Sequence, residues 1–152
     1  CDSDVYVAFT AQEEVGLRGA QTVAFAIQPE YAIAVDVTDT GDLPERKYPM
    51  AVKMGEGPAV KIMDHSVICD QQVKQTLYRV AQENDIPVQR EIMEFGGTDT
   101  GAIQRTAGGV KVGAVSIPTR YIHSAAEMAN LRDVEQAIRL IAHAVSDGMD
   151  KT

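Results

Sequence analysis

Val5-Tyr6-Val7-Ala8-Phe9-Thr10-Ala11-Gln12-Glu13-Glu14-Val15-Gly16-Leu17-Arg18-Gly19-Ala20 is the stretch on which the reading of this chain turns. Its first five residues form an apolar run of the length of a buried strand, two adjacent carboxylates follow, and a helical pattern begins at once. In an open α/β sheet, ligands bind in the crevice beyond the carboxyl ends of the strands. Glu13 and Glu14 are expected at such an end. Neighbouring glutamates repel, and burying an unpaired carboxylate is costly. A divalent cation would remove the conflict.

The pattern repeats outward from there. Leu17, Ala20, Val23, Ala24 and Ile27 recur at helical spacing until Pro29, which predicts a one-faced helix over 17–28. Tyr31 to Val35 is the next apolar run, and it ends on Asp36 as the first ended on the glutamates. Strand, helix, strand is a right-handed crossover that sets two strand ends side by side, so Asp36 is expected beside Glu13 and Glu14. Residues 37–58 read as irregular connection with one short strand at 51–54. Ala59 to Met63 is a further strand. Asp64-His65-Ser66 is read as the cap of a long helix whose one face carries Val73, Leu77, Val80 and Ala81.

Val88 to Glu94 is predicted as a strand. Gly96 to Gly101 lacks both the dinucleotide and the phosphate-loop patterns, and reads as a tight turn in which Thr98 or Asp99 caps a short helix near 102–106. Val110 to Ile117 is a buried strand running toward His123, the third strand-end feature. In the last helix, Val134, Ala137, Ile138, Ile141, Ala142 and Val145 form one stripe, with Asn130 and Asp133 placed to cap it. The expected architecture is an α/β three-layer sheet with helices on both faces.

Composition narrows the function. The 152 residues are 45% hydrophobic and 24% charged, enough for an ordinary core. A net charge of -8 without a basic patch argues against nucleic-acid and anionic-membrane surfaces. Cys1 and Cys69 lack the number and spacing of a disulfide scaffold, so a reduced, cytoplasmic setting is expected. No run approaches the length of a membrane span.

Alone, a Glu pair is usually a solvated patch or a favourable charge at a helix start, and a lone His is usually structural. Convergence changes that. Glu13, Glu14, Asp36 and His123 all fall where strands are expected to end, and carboxylate plus imidazole is a ligand set for zinc, cobalt or manganese. One Glu can then ligate while its neighbour serves as general base for a metal-activated water. Asp64-His65-Ser66 holds triad residue types, but a working triad converges from separate segments. Asp36, Asp39 and Asp42 are spaced unlike a calcium loop.

Read together, Gln12-Glu13-Glu14-Val15-Gly16-Leu17-Arg18-Gly19-Ala20, Ala34-Val35-Asp36, Gly55-Glu56-Gly57-Pro58, Gly96-Gly97-Thr98-Asp99 and Pro118-Thr119-Arg120-Tyr121-Ile122-His123-Ser124, with Glu127-Met128 behind, carry a resemblance. The chain resembles the glutamyl and deblocking aminopeptidases, a family that includes tetrahedral aminopeptidases and cellulase M-like proteins. The resemblance implies Glu13 as general base, Glu14 and His123 as ligands of one metal, and Asp36 as a ligand of a second. It implies two divalent metal ions, zinc or cobalt, a peptide substrate held by its free N-terminus, and a homo-oligomeric parent. The resemblance implies Asp99 or Arg120 at the border of the substrate pocket.

The family's His-x-Asp segment, its metal-bridging aspartate and its inserted dimerisation domain do not occur in this sequence, and Ala125-Ala126 stands where the family often has a proline-containing pair. Residues 1–152 are therefore expected to be the C-terminal half of a metallo-aminopeptidase catalytic domain, holding about half a metal site and hydrolysing little by themselves. Two rival readings remain. A truncated relative would act as a binding or assembly module. An endoglucanase would need paired carboxylates roughly 5 to 9 Å apart, usually with aromatic sugar platforms, whereas this chain has no Trp and 5% aromatics.

Overall fold

A computed structural model describes residues 3–44 and 49–149; Cys1 lies outside the described residues. The elements in chain order are α1 (Arg18–Ile27), β1 (Tyr31–Asp39), β2 (Ala59–Met63), α2 (Gln71–Glu83), β3 (Gln89–Ile92), α3 (Thr100–Ile103), β4 (Lys111–Arg120), β5 (Met128–Ala129) and α4 (Leu131–Asp147). The sheet runs β1-β4-β2-β3, with β5 on the far part of β4. It is mixed: β1 pairs parallel with β4, and β2 parallel with β3, but β2 and β5 run antiparallel to β4.

Side chains alternate across a strand, and β4 shows where each set goes. Val115, with Val60 of β2, enters a core with Val73, Leu77 and Val80 of α2 and Ala137, Leu140 and Ala144 of α4. Val112 faces the other way, into a smaller cluster with Val67, Cys69 and the flanking Ile103 of α3. Two helices thus cover one face and the α3 side the other, the expected three layers. Gly113 is required by the first packing, since a Cβ there would lie 2.4 Å from Val73.

The α4 stripe is rotated from expectation: Ala137, Leu140 and Ala144 are buried while Ile138 is 63% exposed. Asn130 caps α4 as expected, accepting from Arg132 N–H at 2.9 Å. Asp133 does something else. It is 1% exposed and accepts from Gly55 N–H at 2.7 Å and Gly57 N–H at 2.9 Å, tying the Gly55–Pro58 loop to the helix. Gly57 has φ +94°, and a Cβ there would meet the Pro87 carbonyl at 2.2 Å. The glycines let the loop reach the carboxylate.

Other expectations are corrected. The Val5–Phe9 run is not a strand: Val5, Tyr6, Val7 and Phe9 are 53%, 65%, 79% and 97% exposed, and the run pairs with no described strand. A strand needs a ladder partner for its backbone groups as well as an apolar pattern. The crossover expected from this run to β1 is therefore absent. Residues 51–54 are not a strand either; Gln89 holds that backbone, accepting from Lys53 N–H at 2.9 Å and donating to Lys53 O at 2.8 Å. The cap of α2 is Asp70, accepting from Gln72 and Val73 N–H. Asp64 instead folds its own turn, accepting from Ser66 and Val67 N–H.

Candidate functional site

The Glu pair is placed by α1. Leu17 N–H donates to Glu13 O at 2.9 Å, Arg18 N–H to Gln12 O at 3.2 Å and Gly19 N–H to Ala11 O at 2.9 Å, so the segment before the helix folds onto its first turn. Gly19 permits this approach, because a Cβ would stand 2.5 Å from Ala11 N. Thr10 donates its hydroxyl to Asp99 Oδ2 at 2.6 Å, fixing the same segment to the loop before α3. Glu13 is half-buried and Glu14 exposed.

Asp36 lies within β1, three residues before its end rather than beyond it. Its register partner on β4 is Ser116, fully buried. His123 follows the end of β4 in a turn, with φ +61°, its N–H donating to Glu127 Oε1 at 2.6 Å. Its Nδ1 stands 3.6 Å from Glu14 Oε1. Four residues beside the candidates, Gln12, Leu17, Tyr121 and His123 itself, hold positive φ without being glycine. Such conformations cost of order 1–3 kcal/mol and concentrate at functional sites.

Electrostatics join the candidates into one group. Burial raises the Glu13 carboxyl above the usual range, and the charges of Asp36, Glu14 and Asp99 raise it further, against a lowering by His123. Asp36 is also raised, first by burial; its bond from Val37 N–H and the Lys61 charge oppose the rise, and Asp99 and Glu14 add to it. Asp99 Oδ1 and Ser116 Oγ are buried without a hydrogen-bond partner among the described residues. Burial is the larger cause of both shifts, and the neighbouring carboxylates add to it.

The Asp99 charge acts on both Glu13 and Asp36, but its side chain does not cap α3. Thr98 shares a hydrogen bond of 2.7 Å with Thr100 instead. Arg120 is engaged elsewhere, in an ion pair with Asp42 that lowers the Asp42 carboxyl to about 2. Among the described residues, no three His, Cys, Asp or Glu side chains stand close enough to enclose a metal ion. The donor chemistry of Glu14, His123 and Asp36 suits a divalent cation; the close pair is Glu14 with His123.

Beneath the acids lies a cluster that sequence reasoning missed. Lys61, Glu91 and Asp64 are 0%, 0% and 2% exposed. Lys61 Nζ is 2.9 Å from Glu91 Oε1 and 3.4 Å from Asp64 Oδ2. The signal was present in the sequence: Lys61 is the one charge inside the apolar run Ala59–Met63.

The fold is a mixed sheet between helix layers, with His123 brought against Glu14. The chain belongs to the M42 glutamyl aminopeptidase family, whose pattern matches residues 1–140. It is 54% identical over 144 residues to a putative aminopeptidase of Acetivibrio thermocellus, covering 95% of this chain and 43% of that protein. The aminopeptidase of the archaeon Desulfurococcus kamchatkensis superposes with a TM-score of 0.84 at 41% identity, over 90% of this chain and 39% of that one. The TET1 peptidase of Pyrococcus horikoshii, described as assembling into a tetrahedron or a large octahedral shell, gives 0.74 at 36% identity, over 90% and 39%. The chain therefore spans about two fifths of the length of these relatives. No helix among the described residues is long and apolar enough to cross a membrane.

Proposed function

We propose that residues 1–152 form the C-terminal part of the catalytic domain of a metal-dependent aminopeptidase that removes N-terminal residues from peptides in a reducing, cytoplasmic setting. The observation that carries this reading is the 3.6 Å approach of His123 Nδ1 to Glu14 Oε1 within a group of carboxylates that raise one another. Glu14 and His123 are the ligands of one metal, and Asp36 contributes to a second. Zinc or cobalt bound there supplies a Lewis acid and a water of lowered pKa.

Glu13 is the general base. A carboxyl already raised by burial and by neighbouring acids holds a proton more readily than an ordinary glutamate, which suits taking one from water and passing it to the leaving amine. The acidic surroundings also favour a substrate's free ammonium terminus. Asp99, whose Oδ2 accepts the Thr10 hydroxyl, is the acid we assign to the border of the substrate pocket. Assembly into homo-oligomers belongs to the same reading, on the strength of the TET relative.

The test uses the intact protein carrying this sequence, assayed on aminoacyl-p-nitroanilides with cobalt or zinc and with a chelator. Chelation abolishes turnover. Glu13→Gln lowers kcat by about 10²–10⁴ while cobalt uptake persists. Residues 1–152 alone turn over little and bind metal weakly. Chelator-insensitive turnover, or a fully active Glu13→Gln variant, overturns the reading.

A further inference from the structure

We propose that Lys61 is a positioning residue for the acids of the site: its buried ammonium, held between Glu91 and Asp64, locks the segment of β1 that carries the metal-binding Asp36 and the Asp99 loop into one fixed arrangement. This rests on the metallo-aminopeptidase reading, and adds a residue that touches neither substrate nor metal.

The network can be followed contact by contact, with Lys61 Nζ held by ion pairs and by no hydrogen bond among the described residues. Glu91 Oε1, 2.9 Å from Lys61 Nζ, also accepts the Thr38 hydroxyl at 2.8 Å. Thr38 is 1% exposed and stands two residues beyond Asp36, on the same face of β1. That is the arm toward Asp36. The other arm begins at Asp64, whose Oδ2 accepts the Thr98 hydroxyl at 3.4 Å, while its Oδ1 accepts Ser66 N–H and Oγ, each at 2.8 Å. Thr98 and Thr100 are joined to each other and flank Asp99.

The Asp64 turn and the loop are also in steric contact. A Cβ at Gly97 would lie 2.8 Å from Ser66 Oγ, and one at Gly101 would lie 2.3 Å from it. The loop therefore cannot shift toward the turn, and the turn is fixed by Lys61.

One ammonium stands between two carboxylates with no water-exposed side chain among the three. An arrangement of this kind adds little stability over apolar residues of the same volume. What it supplies is geometry, because all three charges must keep their places. Its field also reaches the site, since the Lys61 charge opposes the rise of the Asp36 carboxyl. Residues that orient metal ligands in this way typically govern affinity by about 10–100-fold.

The test measures cobalt affinity of the intact protein by titration, with kcat and KM recorded alongside and folding checked by circular dichroism. Lys61→Met is expected to weaken cobalt binding about 10–100-fold. Because that variant leaves Glu91 and Asp64 buried without their counter-ion and can misfold, Thr38→Val is the deciding variant. It severs only the arm to β1 and keeps the side-chain shape. Its control is Thr76→Val in α2, a buried threonine whose hydroxyl has no hydrogen-bond partner among the described residues.

Weaker cobalt binding in folded Thr38→Val, with Thr76→Val unchanged, supports the positioning role. Wild-type affinity in Thr38→Val, or an equal loss in both threonine variants, overturns it and leaves the aminopeptidase reading intact. A wild-type protein that neither binds cobalt nor hydrolyses peptides overturns both.

Discussion

The two faces of the sheet are built on opposite principles. Toward α2 and α4, the face is closed with Val60, Leu77, Val80, Val115 and Leu140, all 0% exposed. The opposite side of the molecule gathers buried polar groups: Lys61, Glu91, Asp64, Thr38, Thr98, Thr100 and Ser116. The first face is held by apolar area and by complementary volumes. The second adds to its small Val112, Val67 and Cys69 cluster a set of ion pairs and hydrogen bonds, which contribute little net stability and fix positions closely. The proposed chemistry draws on the second, since catalysis needs placement more than it needs burial.

Substitutions can sharpen this contrast, and the largest expected effect is on the apolar face. Leu77→Ala or Leu140→Ala should lower unfolding stability by about 2–5 kcal/mol, read from urea midpoints, with the denaturant slope unchanged. Next comes Asp133→Asn, which weakens the anchor of the Gly55–Pro58 loop and should cost about 1–3 kcal/mol. A loss as large as that of Leu77→Ala would blur the distinction between the two modes.

A smaller effect is expected from acid. The Asp42 carboxyl is lowered to about 2 by the hydrogen bond from Arg120, so its contribution is present above the ordinary carboxylate pKa and disappears as pH falls toward 2. Asp42→Asn should lower stability modestly at neutral pH, because the pair is partly exposed, and leave it unchanged near pH 2, so that this part of the profile flattens. Smallest of all is Phe9→Ser. At 97% exposure it should change stability by no more than about 0.5 kcal/mol. A cost of several times that figure would show that the Val5–Phe9 run is covered in the protein studied.

Much of the fold was legible because periodicity reports burial directly. The stripes of α1 and α2 and the apolar runs of β1, β2 and β4 fall where the structure has them. Val5–Phe9 misled because the same pattern describes a strand and an apolar segment with nothing beside it. Asp64 misled because an Asp-x-Ser turn and a helix cap use the same short-range bonds, and only the later Asp70 capped α2. At the site, the family words brought Glu13, Glu14, Asp36 and His123 to attention together. They did not reveal Lys61, whose role depends on a glutamate 30 residues away in sequence.

By itself, the sequence determined the residue types available for chemistry and the faces that must be buried, since both follow from local spacing. Tertiary structure alone decided that His123 meets Glu14, that Asp36 lies inside a strand rather than past its end, and that Lys61 is shared between Glu91 and Asp64. The reason is range. Hydrophobic patterning acts over a few residues along the chain, whereas the charges that shape this region belong to segments that only the folded sheet brings within a few ångströms.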